Sequence, residues 1–149
     1  MMDSYQALSQ TFEIEGMDFS KAGDVSIEIK EILRDIGIDP AIVRRAAIAS
    51  YEAEMNVVMY AQRGEVALDL DSNTIRISVR DQGPGIEDID LAMQEGYSTA
   101  TDTMREMGFG AGMGLPNIKK NADTFQLRSR VGEGTSYTII FRLDPGRES

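Results

Sequence analysis

Glycine occupies every second position between Gly108 and Gly114, with Phe109, Ala111 and Met113 between the glycines. Four glycines at this spacing carry too large an entropic cost for a regular helix or strand, so the run is predicted to be a loop. A helical pattern begins directly after it at Leu115. Consecutive backbone N–H groups beside a helix N-terminus form an arrangement that suits a polyphosphate.

Other interpretations of the glycine run remain open or are disfavoured. A flexible loop without a ligand explains the run about as well as phosphate binding does. The run lacks the GxxxxGK[ST] pattern of a P-loop. It also departs from G-x-G-x-x-G, because Met113 stands where Gly108 and Gly110 would require a third glycine.

Apolar periodicity predicts helices grouped before and between antiparallel hairpins. We expect a strand near residues 10–15, a helix capped by Ser20 and ended by Gly37, and a longer helix from Pro40 to about Arg63 that Gly64 ends. A hairpin through residues 66–79, a short helix near 86–93, a helix over 115–122 and a hairpin through 125–143 follow. This order favours a single α+β two-layer sandwich over a doubly wound parallel sheet. Residues 144–149 are expected to form a tail.

Glu52 and Asn56 lie one turn apart on the longer predicted helix and point the same way. Ile48 and Met59 border them, so a carboxylate and an amide lie in an apolar sector, where an unpaired polar group is costly. A polar pair satisfied by nearby backbone is one explanation. A base beside a metal-binding amide is the other, because Mg²⁺ prefers oxygen ligands. Arg45, two turns earlier, is a candidate partner for Glu52.

Two further motifs follow predicted strands. Asp81-Gln82-Gly83-Pro84-Gly85-Ile86 lets the backbone turn sharply and approach a planar ligand, and Asp81 is placed to accept a hydrogen bond from an exocyclic amine. An ordinary turn uses the same residue types. Gly132-Glu133-Gly134-Thr135 fits any hairpin turn and carries no functional information alone.

Composition excludes several classes of function. The chain has neither cysteine nor histidine, which excludes disulfides, thiolate zinc sites and serine–histidine hydrolases. Its net charge of −10 makes nucleic acid and anionic membranes poor partners. The N-terminus has no basic segment followed by an apolar core, and no apolar run is long enough to span a membrane, so we expect a soluble cytoplasmic protein.

Taken together and in order, the four motifs resemble the N box and the three glycine boxes of the GHKL ATPase superfamily. The resemblance spans about residues 39–143. The short chain and brief lid resemble bacterial anti-sigma factors and switch-protein serine kinases, and residues 52–61 are most similar to the RsbT-like kinases. Anti-sigma factors of the RsbW and SpoIIAB type more often have alanine and histidine where this chain has Val57 and Tyr60.

The resemblance implies a Bergerat fold, in which helices cover one face of a mixed, mostly antiparallel sheet, and a site for ATP or ADP with Mg²⁺. Glu52 would be the catalytic base and Asn56 the Mg²⁺ ligand. Asp81, assisted by Thr135, would bind the adenine amino group beside Gly83 and Gly85. The other implied nucleotide contacts are Ile86, Arg105, Gly108, Gly110, Ala111, Gly112, Met113, Gly114 and Leu115, with residues 96–112 as a lid.

By the same resemblance, the function would be a serine/threonine protein kinase that phosphorylates a STAS-type antagonist in a partner-switching pathway. An anti-sigma factor that sequesters a sigma factor is the alternative, and a stand-alone ATP-binding module with slow hydrolysis is a third. The lid has no lysine, so Arg105 is its one basic candidate for the γ-phosphate. The sequence leaves the oligomeric state open, including a homodimer.

Overall fold

The computed structural model describes residues 7–86, 88–94 and 114–143. Five strands and four α-helices follow one another in these ranges, and a single 3₁₀ turn, Phe19–Lys21, comes after the first strand. In chain order they are β1 (Leu8–Glu15), α1 (Asp24–Asp35), α2 (Pro40–Tyr60), β2 (Arg63–Leu70), β3 (Thr74–Asp81), α3 (Ile89–Ala92), α4 (Gly114–Asn121), β4 (Thr124–Arg130) and β5 (Gly134–Arg142).

The five strands form one sheet in the order β1-β2-β3-β5-β4. Each of its four pairings is antiparallel, and β3 is the central strand. The registers place Val66 opposite Val79 and Val79 opposite Tyr137, so one row of apolar side chains crosses the sheet. The predicted α+β sandwich is therefore confirmed.

Helix α2 lies against the apolar face of the sheet and carries the core. It contacts β1, β2, β3 and β5, while α1 and α4 pack beside it. Ala46, Ala49 and Ala53 are fully buried, and such small side chains let a helix approach a sheet closely. Ile77, Ile139 and Phe141 are fully buried on the strands beneath. Because α2 is held on several sides, its polar residues have fixed positions.

Two predicted helix boundaries are wrong. Ser20 does not cap α1, because Ser20 belongs to a 3₁₀ turn in which the side chain of Asp18 accepts from its backbone N–H at 3.2 Å. Gly64 does not end α2, which stops at Tyr60, and Gly64 lies inside β2. A side chain at Gly64 would meet Val57 at 2.8 Å, so close packing of strand on helix explains this glycine.

The N-terminus of α1 is capped from a distance by Glu54 of α2. Its carboxylate is 1% exposed and accepts hydrogen bonds from the backbone N–H groups of Gly23 (3.0 Å), Val25 (3.2 Å) and Ser26 (3.0 Å). A helix N-terminus leaves such N–H groups without intrahelical partners and carries partial positive charge. Glu54 therefore fixes α1 against α2.

Among the described residues, no helix combines the length and the apolar character needed to cross a membrane.

Candidate nucleotide site

Helix α2 presents Glu52 and Asn56 toward the first residue of α4. A Cβ atom built on Gly114 would lie 3.5 Å from Glu52 Oε1 and 3.5 Å from Asn56 Oδ1. Any side chain at Gly114 would therefore fill the space next to both oxygens. The structure brings these three residues together, and it places a carboxylate oxygen and an amide oxygen at the N-terminus of a helix.

Asn117, one turn into α4, fixes the other oxygen of Glu52. Its Nδ2 donates a hydrogen bond to Glu52 Oε2 at 3.1 Å. The sequence suggested Arg45 as a partner for Glu52, and this was wrong. Arg45 instead pairs with Asp123 at 2.9 Å and donates to the carbonyl of Asn121 at 2.9 Å, which ties α2 to the C-terminal end of α4.

Asn56 is anchored from the sheet by Tyr137. The Nδ2 group of Asn56 donates to the Tyr137 hydroxyl at 3.1 Å, which leaves Oδ1 directed to the side where Gly114 lies. Tyr137 is only 4% exposed, and burial raises the pKa of its hydroxyl, which the nearby Asp81 and Tyr60 raise further. The hydroxyl is therefore neutral at physiological pH.

Asp81, the last residue of β3, is half-buried beside the start of β5. Its Oδ1 accepts from the backbone N–H of Thr135 at 3.0 Å. Burial raises the pKa of this carboxyl group, while backbone donation by Thr135 and Gly83 acts in the opposite direction. One carboxylate oxygen is thus held in place by the backbone.

Two glycines near Asp81, Gly85 and Gly134, have no room for a side chain. A Cβ on Gly134, which has φ of +125°, would lie 2.2 Å from the carbonyl oxygen of Asp81. A Cβ on Gly85, with φ of +80°, would lie 2.4 Å from the carbonyl oxygen of Arg130. These close approaches dock the Asp81–Ile86 segment onto the β4–β5 hairpin, as does a hydrogen bond from Gly132 N to Pro84 O at 2.8 Å.

Ser129 joins the same two segments through its side chain. Its Oγ accepts from the backbone N–H of Ile86 at 2.7 Å and lies 2.8 Å from Thr135 Oγ1. The Thr135 hydroxyl is therefore already engaged, and Thr135 reaches Asp81 through its backbone instead. The loop after β3 and the turn before β5, which are far apart in sequence, form one wall.

Residues 42–145 match the model of the family described as histidine kinase-, DNA gyrase B-, and HSP90-like ATPase. That match covers more than half of the chain and contains every side chain of the site. The chain belongs to this family. The resemblance to GHKL ATPases that the four motifs indicated is therefore confirmed.

Curated relatives of this GHKL protein include a kinase and anti-sigma factors. The serine/threonine-protein kinase RsbT of Bacillus subtilis (strain 168) is 32% identical over 115 residues, which cover 74% of this chain and 80% of RsbT. An anti-sigma F factor of Anoxybacillus flavithermus is 28% identical over 120 residues, covering 80% of this chain and 71% of that protein. Both classes named by the sequence motifs are represented.

A solved structure shares the fold. The SiaB–SiaC complex from Pseudomonas aeruginosa contains a chain that aligns with a TM-score of 0.60 and 14% identity, covering 89% of this chain and 88% of that one. At this identity the similarity extends to the fold alone. It agrees with the GHKL architecture described above.

The structure of this GHKL chain places the predicted site residues in two groups. Glu52, Asn56 and Gly114 form one group, and Asp81 with its glycine-rich wall forms the other. Leu115 follows Gly114, but it is 8% exposed and its side chain packs in the core. The remaining predicted contacts, Arg105, Gly108, Gly110, Ala111, Gly112 and Met113, lie outside the described residues with the whole predicted lid.

Sequence reasoning missed Tyr137 and Asn117. Tyr137 belongs to a strand in which apolar and polar residues alternate in the usual way, so the sequence gives it no special role. Only the pairing of the strands in the sheet brings it beneath Asn56. Asn117 lies three residues after Gly114, so a helical wheel of α4 would have placed both on the face that meets α2. The charge of Asp81 also raises the pKa of Tyr137, whose hydroxyl accepts from Asn56 in the other group.

The donors present fit Mg²⁺ bound together with a nucleotide. Mg²⁺ usually takes one or two protein oxygens and completes its shell with water and phosphate oxygens. Asn56 Oδ1 is such an oxygen, and it borders the space beside Gly114 that a Cβ would fill. Within the described residues no cluster of three or more acidic groups could hold a metal alone.

Proposed function

We propose that this GHKL protein is an ATP-dependent serine/threonine protein kinase of a bacterial partner-switching pathway, acting on a STAS-type antagonist protein. The observation that carries the proposal is the position of the Glu52 carboxylate beside Asn56 at the start of α4. The 32% identity to a protein named as a serine/threonine kinase supports the same activity. We propose a cytoplasmic location, where ATP is available.

Glu52 is the general base in this proposal. One of its oxygens is held by Asn117 at 3.1 Å, which leaves Oε1 to accept the proton of a serine or threonine hydroxyl. The hydroxyl oxygen then bonds to the γ-phosphorus of ATP while the bond to the β–γ bridging oxygen breaks, and ADP leaves. Phosphoryl transfer depends mainly on positioning and charge neutralisation, so histidine is not needed.

Asn56 contributes the metal-binding oxygen. Because Tyr137 accepts from its Nδ2, the amide is oriented with Oδ1 toward the site. Mg²⁺, when bound there with ATP, would neutralise phosphate charge. Residues 108–114, with Arg105 near the γ-phosphate, are proposed to surround the phosphates, and residues 96–112 to close over them. Gly114 leaves room for those phosphates.

Asp81 is proposed to select adenine. A carboxylate whose Oδ1 is held by Thr135 still has Oδ2 to accept a hydrogen bond from the exocyclic amine of the base. The wall built from Gly83, Gly85 and Ile86 would lie against the ring. A charge-assisted hydrogen bond of this kind contributes about 1.5–3 kcal/mol to binding.

Sequestration of a sigma factor is the second candidate, favoured by the anti-sigma F factors among the relatives. It uses the same nucleotide site, with ATP acting as a signal. The two functions differ in the protein partner. A kinase transfers phosphate to an antagonist protein, whereas a sequestering protein binds a sigma factor. A stand-alone ATP-binding module would do neither.

The test is transfer of labelled phosphate from γ-labelled ATP to purified STAS proteins encoded near the gene, with sigma factors from the same neighbourhood as binding partners. Labelling of serine or threonine on one STAS protein, lost on removal of Mg²⁺, is expected. Stable sigma-factor binding without any labelling would instead favour sequestration. ATP binding followed only by phosphate release to water would favour the stand-alone module.

A further inference from the structure

Ser129 lies on β4 directly opposite Thr135 of β5, and its hydroxyl makes three contacts. The oxygen accepts from the backbone N–H of Ile86 at 2.7 Å, and the hydroxyl donates to the carbonyl oxygen of Gly134 at 3.2 Å. The third contact is with Thr135 Oγ1 at 2.8 Å. Thr135 is only 7% exposed, so bulk water has little access to this pair of hydroxyl groups.

The donor and acceptor capacity of these groups assigns their protons. A serine hydroxyl has one proton and two lone pairs that accept. The carbonyl oxygen of Gly134 can only accept, so the single proton of Ser129 is directed to Gly134. The contact with Thr135 then requires that Thr135 donate its own hydroxyl proton to Ser129. With the N–H of Ile86 on its other lone pair, the Ser129 hydroxyl is fully used.

The Thr135 hydroxyl is left with lone pairs only. Its proton is directed to Ser129, so its oxygen can accept a further hydrogen bond but cannot donate one. The ionised carboxylate of Asp81 is also an acceptor, and the backbone N–H of Thr135 already occupies its Oδ1. Asp81 Oδ2 and Thr135 Oγ1 therefore present the same polarity to a ligand.

We propose that Ser129 is a positioning residue for base selection, which holds the proton of Thr135 so that the site matches a primary amine and opposes a carbonyl group. The proposal rests on the proposed role of Asp81 and Thr135 at the nucleobase. An exocyclic amine has two N–H donors and can give one to each acceptor. A carbonyl oxygen in the same place meets lone pairs on both sides, and buried acceptors left unpaired are costly.

Ser129 is needed because a threonine hydroxyl alone does not discriminate. A free hydroxyl rotates and either donates or accepts, so it suits an amine and a carbonyl equally well. Turning the Thr135 proton toward a ligand carbonyl would leave the two hydroxyl oxygens 2.8 Å apart with no proton between them, unless Ser129 gave up its bond to Gly134. Reversing the polarity of Thr135 therefore costs one hydrogen bond.

The test compares ATP with inosine triphosphate (ITP), which has a carbonyl oxygen where ATP has its exocyclic amine. Calorimetric titration in Mg²⁺ gives the ratio of the ITP to the ATP dissociation constant. We expect a ratio of about 100 or more for the wild type. In Ser129→Ala the Thr135 hydroxyl is free to donate, so the ratio should fall about two- to twelvefold, which corresponds to one neutral hydrogen bond. Loss of the Ile86 contact weakens both nucleotides alike and cancels in the ratio.

A valine background shows whether Ser129 acts through Thr135. Thr135→Val keeps the shape of the side chain without its hydroxyl, so adding Ser129→Ala to it should leave the ratio unchanged. Thr135→Ser keeps the hydroxyl and should keep the wild-type ratio. Ser129→Cys, which retains a weak donor and acceptor, replaces Ser129→Ala should that variant fail to fold, and its ratio should lie between those of wild type and Thr135→Val.

Failure of this inference and failure of the proposed function give different results. An unchanged ratio in Ser129→Ala overturns the role of Ser129, and so does an equal fall in the valine background, where no hydroxyl remains to be held. In both cases ATP still binds. A wild type that binds neither ATP nor ITP overturns the proposed function together with this inference.

Discussion

Replacement of Tyr137 by phenylalanine removes one hydroxyl and is expected to weaken binding of ATP only when Mg²⁺ is present. The lost contact is the 3.1 Å hydrogen bond from Asn56 Nδ2. A neutral hydrogen bond contributes about 0.5–1.5 kcal/mol. Each 1.4 kcal/mol corresponds to about tenfold in affinity, so the Mg²⁺-dependent affinity should fall about two- to twelvefold.

The pH dependence of this effect follows from burial of the hydroxyl. Burial raises the pKa of Tyr137 above its usual range, so the hydroxyl is neutral and accepts from Asn56 throughout about pH 6–9. The ratio of wild-type to Tyr137→Phe affinity should accordingly be constant across that range. A ratio that changes strongly with pH would contradict the assignment of a neutral acceptor.

Calorimetric titration with ATP, in Mg²⁺ and again in a chelator, measures the effect directly. Tyr51→Phe is the matched control, since Tyr51 lies on the exposed side of α2 next to Glu52 and should bind ATP as the wild type does. Equal losses with and without Mg²⁺ would mean that Tyr137 supports the cleft as a whole. No loss at all would mean that Tyr137 does not orient Asn56.

Three further outcomes are expected. Glu54→Ala leaves three buried N–H groups of α1 without an acceptor and should lower the free energy of unfolding by about 3 kcal/mol or more in urea denaturation, with Glu54→Gln losing less; equal stability of all three proteins would refute the capping role. Asp81→Asn should weaken ATP binding about 10- to 150-fold, yet raise the melting temperature of the free protein at neutral pH. Burial raises the pKa of Asp81 in the folded state, so this carboxyl group stabilises the fold below the ordinary aspartate pKa and loses that contribution as pH rises. The gain in melting temperature of the variant should therefore vanish in acid. A gain that persists in acid would contradict a raised pKa of Asp81. Asn117→Ala should slow phosphate transfer about 10- to 150-fold with little change in ATP affinity, because a hydrogen bond to a charged group contributes about 1.5–3 kcal/mol. A loss confined to affinity would show that Asn117 does not orient Glu52.

The sequence predicted the order of the elements because local signals determine it. Asp39 and Pro40 open α2 as predicted, and the side chain of Asp39 accepts from Ala41 N at 2.8 Å. The alternating runs on either side of Asp71-Ser72-Asn73 form the β2–β3 hairpin. Turns and caps of this kind depend on a few neighbouring residues, so they can be predicted from the sequence alone.

Contacts between distant segments could not be predicted from the sequence in the same way. Glu54 reads as one more polar residue of α2, and only the docking of α1 turns it into a cap for Gly23, Val25 and Ser26. Arg45 has the right spacing to reach Glu52, yet Asp123 competes for it from 78 residues away. Both contacts form only when the folded chain brings these distant segments against α2.

The measurement that tests the proposed kinase most directly is the single-turnover rate of phosphate transfer by Glu52→Gln. The variant keeps the shape of the side chain and its contact with Asn117 but loses the base. The expected rate is about 10²–10⁴ lower than that of the wild type, with ATP affinity unchanged or slightly higher. Glu28→Gln, at an exposed position of α1, should transfer at the wild-type rate. Transfer by Glu52→Gln at the wild-type rate would contradict the assignment of Glu52 as the base.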